Sequence, residues 1–303
     1  MRRLDQVLSS LGYCSRREAV LFVKNGRVKQ NGLVLTKADQ KVDPQAVTVD
    51  DEPLEALDGL LAMLHKPVGY VCTHDGNEGP TIYELLPDQW LRRNPAVTSV
   101  GRLDKDTSGL LVVAKTLEAQ TDLVRQLQAR TVKREYQALA RGLVERGGTV
   151  DAPIGRHPTQ RIKMAVIMGG KPARTHYRVV EAFSTCTLIE CSLETGRTHQ
   201  IRVHLDHIGH PLVGDPVYGR GASRLPGPAF HRQFLHARKL GLVHPASGKT
   251  MLWKSPLPDD MADLLEQLRI NAVMEADAAC EEDDYEDEHE VELIYEYGDG
   301  DDD

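Results

Sequence analysis

The last 29 residues of the chain, 275–303, hold 16 Asp or Glu and not one Lys or Arg. A stretch so charged, and of one sign, repels itself and has too little apolar surface to join a core. What folds must therefore lie before it, and the segment 271–303 is expected to be a mostly disordered acidic tail. The division also reverses the charge. The whole chain carries −8, but removing those 16 acids leaves 29 Asp and Glu against 37 Lys and Arg, a body of +8. A basic body is compatible with a polyanionic partner. The 303 residues, 41% of them hydrophobic, suffice for one substantial domain plus a small one. No run of about 18 apolar residues suggests a membrane span. The opening MRRLDQVLSS lacks the apolar stretch of a signal peptide. Cys14, Cys72, Cys186, Cys191 and Cys280 are odd in number and scattered, which predicts reduced thiols and a cytoplasmic setting.

Leu4, Val7, Leu8 and Leu11 recur at helical spacing. Ser15 and Glu18 then form a capping-box pattern ahead of Ala19, Val20, Phe22 and Val23, with Gly26 as the stop of a second helix. Val28 and the run 33–35 flank Asn31-Gly32, a pair that supplies the positive φ angles of a tight hairpin. Residues 1–50 thus read as a small module of two helices plus a hairpin. Arg16, Arg17, Lys24, Arg27 and Lys29 make it basic. Residues 51–59 read as a linker. A larger α+β region fills 60–270, with strands expected at 132–139 and 187–193 and a helix around Leu123, Val124 and Leu127. A final helix is expected after Pro258-Asp259-Asp260, through Met261, Leu264, Leu265 and Leu268.

Neither a Walker A sequence nor a strand-linked G-x-G-x-x-G occurs, so no nucleotide cofactor is expected. His199, His204, His207 and His210 meet no standard ligand spacing, and no metal is expected. On one regular strand the odd separation of Cys186 and Cys191 puts them on opposite faces. Three other segments stand out. In GRLDKDTSGLL, residues 101–111, charged residues precede a long apolar run between bracketing glycines. KREYQA, residues 133–138, sets Tyr136 in a strand. GRTHQIRVHL, residues 196–205, looks like a helix entered through Gly196 with Thr198 as its N-cap.

Together, and in this order, these segments resemble the catalytic motifs of the RluA/RsuA superfamily of bacterial RNA pseudouridine synthases. RLDQVLSSLGYCSRREAVLFVKNGRVKQNG resembles an S4 RNA-binding domain over nearly its full length. HKPVGYVCTHDGNEGPTIYELLP is similar to the small-subunit-enzyme branch. DAPIGRHPTQRIKMAV, GGKPARTHYRV and GRTHQIRVHLDHIGHPLVGDPVYG are similar to the RluA branch. The resemblance implies a catalytic domain on a largely antiparallel mixed sheet, and an isomerase that detaches uracil at N1 and reattaches it through C5. It implies Asp104 as the catalytic aspartate, Arg202 as its basic partner, Tyr136 as the tyrosine against the base, and Arg102 as the residue that helps hold the base out of its stack. It also implies that Arg161, Lys163 and Arg174, with Arg156 and Lys171, grip RNA through phosphates. The implied substrate is structured RNA, ribosomal and preferably of the large subunit, acted on by a monomer. A tRNA substrate and a non-catalytic ribosome-assembly role are the alternatives.

Overall fold

A computed structural model describes residues 1–11, 13, 14, 16–54, 61–93, 97–219 and 230–290. The N-terminal module contains β1 (Arg2–Arg3), α1 (Leu4–Ser10), α2 (Ala19–Lys24), β2 (Val28–Gln30), β3 (Leu33–Val34), β4 (Lys41–Val42), β5 (Val47–Val49) and β6 (Glu52–Pro53). Leu4, Val7, Leu8, Ala19, Val23, Val28, Val42 and Val47 form its core. Gly26, at φ +69°, ends α2: its N–H reaches the Val23 carbonyl and the Arg27 N–H reaches that of Phe22. Asn31 and Gly32, both at positive φ, turn β2 into β3. The expected capping box falls on Ser15, which lies outside the described residues. Glu18 is the residue that precedes α2. The module does not stop at residue 50. Strand β6 pairs with β5, so 52–53 belongs to its sheet, while the rest of the expected linker, 55–59, lies outside the described residues.

The second part begins with β7 (Leu61–Lys66), α3 (Asp88–Arg93), β8 (Thr98–Val100), β9 (Ser108–Ala114), α4 (Leu117–Gln128) and β10 (Lys133–Arg141). It continues through β11 (Gly148–Asp151), β12 (Ile154–Arg156), β13 (Met164–Val166), β14 (Arg174–Ala182), β15 (Cys186–Leu193) and α5 (Gln200–His207). It closes with β16 (Leu235–Val243), β17 (Thr250–Lys254) and α6 (Asp259–Glu290). Seven of the described strands run in the order β11-β14-β15-β10-β16-β9-β7, with β17 against β16 and β8 against β9. All pairings are antiparallel except β9 with β16, so this is the expected α+β class on a largely antiparallel mixed sheet.

That parallel pairing is short and forks the sheet. Strands β9 and β16 meet only at Ser108–His236 and Gly109–Ala237. Beyond it β9 continues beside β8, and β16 beside β17. Helix α4 fills the fork, with Ala119 and Leu123 packed against Val100, Leu110, Val112, Leu240 and Leu242. Thr116 caps α4 by accepting from the Ala119 N–H. The junction requires glycine at 109. Its φ is +115°, and a Cβ there would sit 2.4 Å from the Ala237 carbonyl oxygen. Segment 101–107 links β8 to β9 and so crosses the opening of the fork.

Cys186 packs with Leu188 and Met261 on one face of β15, and Cys191 with Ile189 and Tyr136 in the other core, as their odd spacing requires. Cys14, Cys72, Cys186 and Cys191 are free thiols. Helix α6 buries Met261, Leu264, Leu265 and Leu268, as its periodicity predicts. It does not end there. The helix continues to Glu290, through a segment whose composition predicts disorder. Ala and Glu are strong helix formers, and an already nucleated helix propagates through them at little further cost.

Candidate active site

Segment 101–107 is held from below. Lys66, at the end of β7 and 1% exposed, donates from Nζ to the carbonyls of Pro67, Lys105 and Thr107 at 2.8–2.9 Å. Burial lowers its pKa to about 8, and each of the three ammonium N–H directions meets a carbonyl. The Cys72 thiol donates to the Leu103 carbonyl, and the Gln233 amide to Thr107 Oγ1. With Leu103 buried, the extended backbone sends Arg102 and Asp104 the other way; Arg102 is exposed and Asp104 half-buried.

Helix α5 brings Arg202 to Asp104. Arg202 Nη1 donates to Asp104 Oδ2 at 3.0 Å, while Nε and Nη2 grip Asp215 at 2.7 and 2.9 Å. Burial works against the charge of Arg202, but Asp215 and Asp104 more than offset it and raise its pKa. Burial likewise pushes Asp215 up, but Arg202 and the N–H groups of Tyr218 and Val217 hold it below the usual carboxylate range. The guanidinium is thus locked from behind by a fully buried carboxylate and points its remaining edge at Asp104.

The entry to α5 differs from expectation. Thr198 is not its cap. The helix starts at Gln200, preceded by His199 in the left-handed region at φ 56°. The Gln200 side chain ties the turn instead, accepting from Thr195 Oγ1 and the Arg197 N–H and donating to the Arg174 carbonyl and Thr175 Oγ1. Thr198 is thereby free to accept from Arg102 Nη2 at 3.4 Å. His199 Nδ1 and the Tyr218 hydroxyl share a 2.9 Å hydrogen bond, and Tyr218 also lies beneath Arg202 and Lys163. Buried His204 bonds Thr175 Oγ1 and the Ala152 carbonyl, and His210 bonds the Arg141 carbonyl. These histidines pack and bond locally. Among the described residues no three His, Cys, Asp or Glu side chains gather as a metal would require.

Tyr136 stands on β10, buried, with burial raising its pKa and Arg134 and Asp104 both acting on its hydroxyl. Together with Arg102, Leu103 and Arg134 it lines a cavity that runs down to Leu111, Leu123 and Leu240 in the fork. The structure therefore assembles Asp104, Arg202, Tyr136 and Arg102 in one place, with Lys163 joined through Tyr218. Arg161 is exposed on the loop between β12 and β13. Arg174 is ion-paired to Asp151 and Glu194. In the N-terminal module Arg16 pairs with Asp5, and Arg27 pairs with Asp50 and covers Phe22, whereas Arg17 and Lys24 lie exposed. Asp215, Tyr218 and Lys66 are not picked out by sequence reasoning. The first two stand in the GDPVYG run, but nothing in that run names Arg202 as their partner.

Comparison with known proteins gives both parts of the chain a family. Residues 61–207 match the family model for RNA pseudouridylate synthase, and residues 2–48 match that for the S4 domain. The ribosomal large subunit pseudouridine synthase D of Nitrosomonas europaea is 55% identical over 249 residues, spanning 77% of this chain and 69% of that protein. Its namesake from Pseudomonas aeruginosa is 46% identical over 300 residues, spanning 88% and 92%. The structure of human RNA pseudouridylate synthase domain containing 4 superimposes with a TM-score of 0.58 at 25% identity, over 70% of this chain and 91% of that one. The chain belongs to the RNA pseudouridylate synthase family, and is an isomerase acting on RNA with an S4 domain at its N-terminus.

Proposed function

We propose that this enzyme converts uridines of large-subunit ribosomal RNA to pseudouridine, with Asp104 as its catalytic residue. The observation that carries the reading is Arg202, held by buried Asp215 and aimed at Asp104 beside Tyr136. In the reaction the N1–C1′ bond breaks, the base turns, C5 bonds to C1′, the C5 proton leaves and N1 is protonated. No electrons are gained or lost, so no redox cofactor is needed. Tyr136 lies against the base, and Arg102 enters the space a flipped nucleotide leaves. A base inside a helix is out of reach of such a cavity, so it must leave its stack. Arg17 and Lys24 of the S4 domain, with Arg161 and Lys163 of the β12–β13 hairpin, act on phosphates. Arg16, Arg27 and Arg174, already ion-paired, contribute by exchanging those partners for phosphate.

The ribosomal assignment rests on relatives at 44–55% identity that are named large-subunit synthases; transfer RNA is the alternative. We place the enzyme in the cytoplasm as a monomer. Among the described residues no helix is long and apolar enough to cross a membrane. Pseudouridine mapping of total RNA from cells with and without the gene tests the proposal. Sites lost from large-subunit RNA are expected; losses confined to transfer RNA would overturn the substrate, and no losses the activity in cells.

A further inference from the structure

We propose that Arg134 is a further catalytic residue, donating to O4 of the target uracil and stabilising the negative charge the base gains when its bond to ribose breaks. This rests on the reading of Asp104 and Tyr136 as the site. Arg134 and Tyr136 are two residues apart on β10 and so share a face, and both line the same cavity. Arg134 is poorly served by the protein. Nη2 donates to the carbonyls of Leu193 and Glu194 at 3.5 and 3.3 Å, at the weak end of hydrogen bonding. Its Nε–H is buried and has no acceptor among the described residues. No carboxylate there pairs with it, in contrast to Arg174, Arg178, Arg202 and Arg269. Burial lowers its pKa, and only Tyr136 acts against that shift. A buried guanidinium N–H left without an acceptor is costly, and such a group in a native fold calls for a partner that arrives later.

The geometry indicates which partner. Arg134 and Tyr136 line the same cavity, whereas Asp104, held by Arg202, is not part of that lining. A uracil lying on Tyr136 with C1′ towards Asp104 turns its opposite edge to Arg134. N1 carries C1′, and C4 lies across the ring from N1, so the atom at that edge is O4. When the N1–C1′ bond breaks, its electron pair stays with the base and spreads onto O2 and O4. A donor at O4 therefore binds the departing base more strongly than the intact nucleoside, which is the condition for lowering the barrier. C5 then bonds to C1′, its proton passes to water and N1 takes one up, so the isomerisation balances without a co-reactant. Gly196 fits the same arrangement: a Cβ there would lie 2.6 Å from Arg134 Nη1 and would push the guanidinium aside.

The competing role is structural, a clamp on the turn after β15. The test uses RNA with 4-thiouridine at the target position, because sulfur is a poor acceptor. Single-turnover rates and RNA affinities are measured for wild type, Arg134→Gln, Arg134→Lys and Asp104→Asn. Removing one donor of this kind should slow Arg134→Gln on ordinary RNA by about 100-fold, with affinity unchanged within about twofold. Sulfur should slow the wild type and make no further difference to Arg134→Gln, while Arg134→Lys falls between. Equal slowing of wild type and variant by sulfur, or no slowing of wild type, overturns the proposal and leaves the clamp. If Arg134→Gln does not fold, wild type and Arg134→Lys on the two RNAs decide. Turnover by Asp104→Asn would instead overturn the reading of the site beneath it.

Discussion

Arg202 shows how one side chain couples stability to chemistry. Its two bonds to Asp215 are fully buried, and its single bond to Asp104 is not. The two carboxylates should therefore respond differently to neutralisation. Asp104→Asn keeps an acceptor for Arg202 at a half-open position, so unfolding free energy should change by less than about 1 kcal/mol. Product formation should fall by about 1,000-fold or more, as when a central catalytic group is lost. Single-turnover assays and denaturant melts on the same preparation check both. Asp215→Asn withdraws the counter-charge from a buried guanidinium, a change that costs about 3–5 kcal/mol. It should lower the melting temperature and the rate together, and wild-type stability in this variant would refute the locking role.

At the scale of elements the decisive feature is the fork between β9 and β16. Gly109 permits the close approach of β9 to Ala237, so Gly109→Val should destabilise by about 2–4 kcal/mol and disturb segment 101–107. Denaturant unfolding measures the first, and RNA modification the second. The same junction holds His236, fully buried between Ser108 and Ser255. Burial, with lesser contributions from His65, Arg238 and Arg232, pushes it down to about 4 from its ordinary 6.5. The folded protein thus keeps His236 neutral where the unfolded chain takes up a proton. Stability from this group is complete above about pH 6.5 and declines as pH falls towards 4, by roughly 1.4 kcal/mol per unit. His199 and His204 are lowered in the same direction by burial. His236→Asn should therefore reduce, without abolishing, the slope of stability against pH in that window; an unchanged slope would show that His236 does not titrate there.

For the whole molecule the question is how the acidic segment relates to the basic body. Ser9 of the S4 domain donates to Glu118 on α4 at 2.6 Å, so the two parts touch. Helix α6 packs through its first turns. Ile270, Val273 and Met274 are more than half exposed. A helical rod follows a basic RNA-binding face less readily than a flexible polyanion, which favours long-range repulsion of RNA over a folded-back plug. Removing residues 275–303 should tighten nonspecific RNA binding at low salt. The gain should fade as screening shortens to about 8 Å at physiological salt. Filter binding across a salt series checks this, and equal affinities at low salt would leave the segment a solubilising role.

Much of this was legible before any coordinates. Amphipathic spacing marks α1, α4 and α6, Asn31-Gly32 marks the hairpin, and apolar runs mark β9, β10 and β15, because these depend on neighbours a few residues apart. Asp104, Tyr136 and Arg202 were legible through motif resemblance, which records local pattern. What only the tertiary structure decides are pairings across long stretches of chain. Arg202 meets Asp104 from 98 positions away, and Asp215 from 13 positions on across a turn. Lys66 reaches the carbonyls under segment 101–107, and the Nε–H of Arg134 is left without an acceptor among the described residues. A lone Arg, Lys or Asp in a sequence carries no sign of whether it will be solvated, paired or stranded. That depends on what burial removes and what the facing strand or helix supplies, and both exist only once the chain has folded.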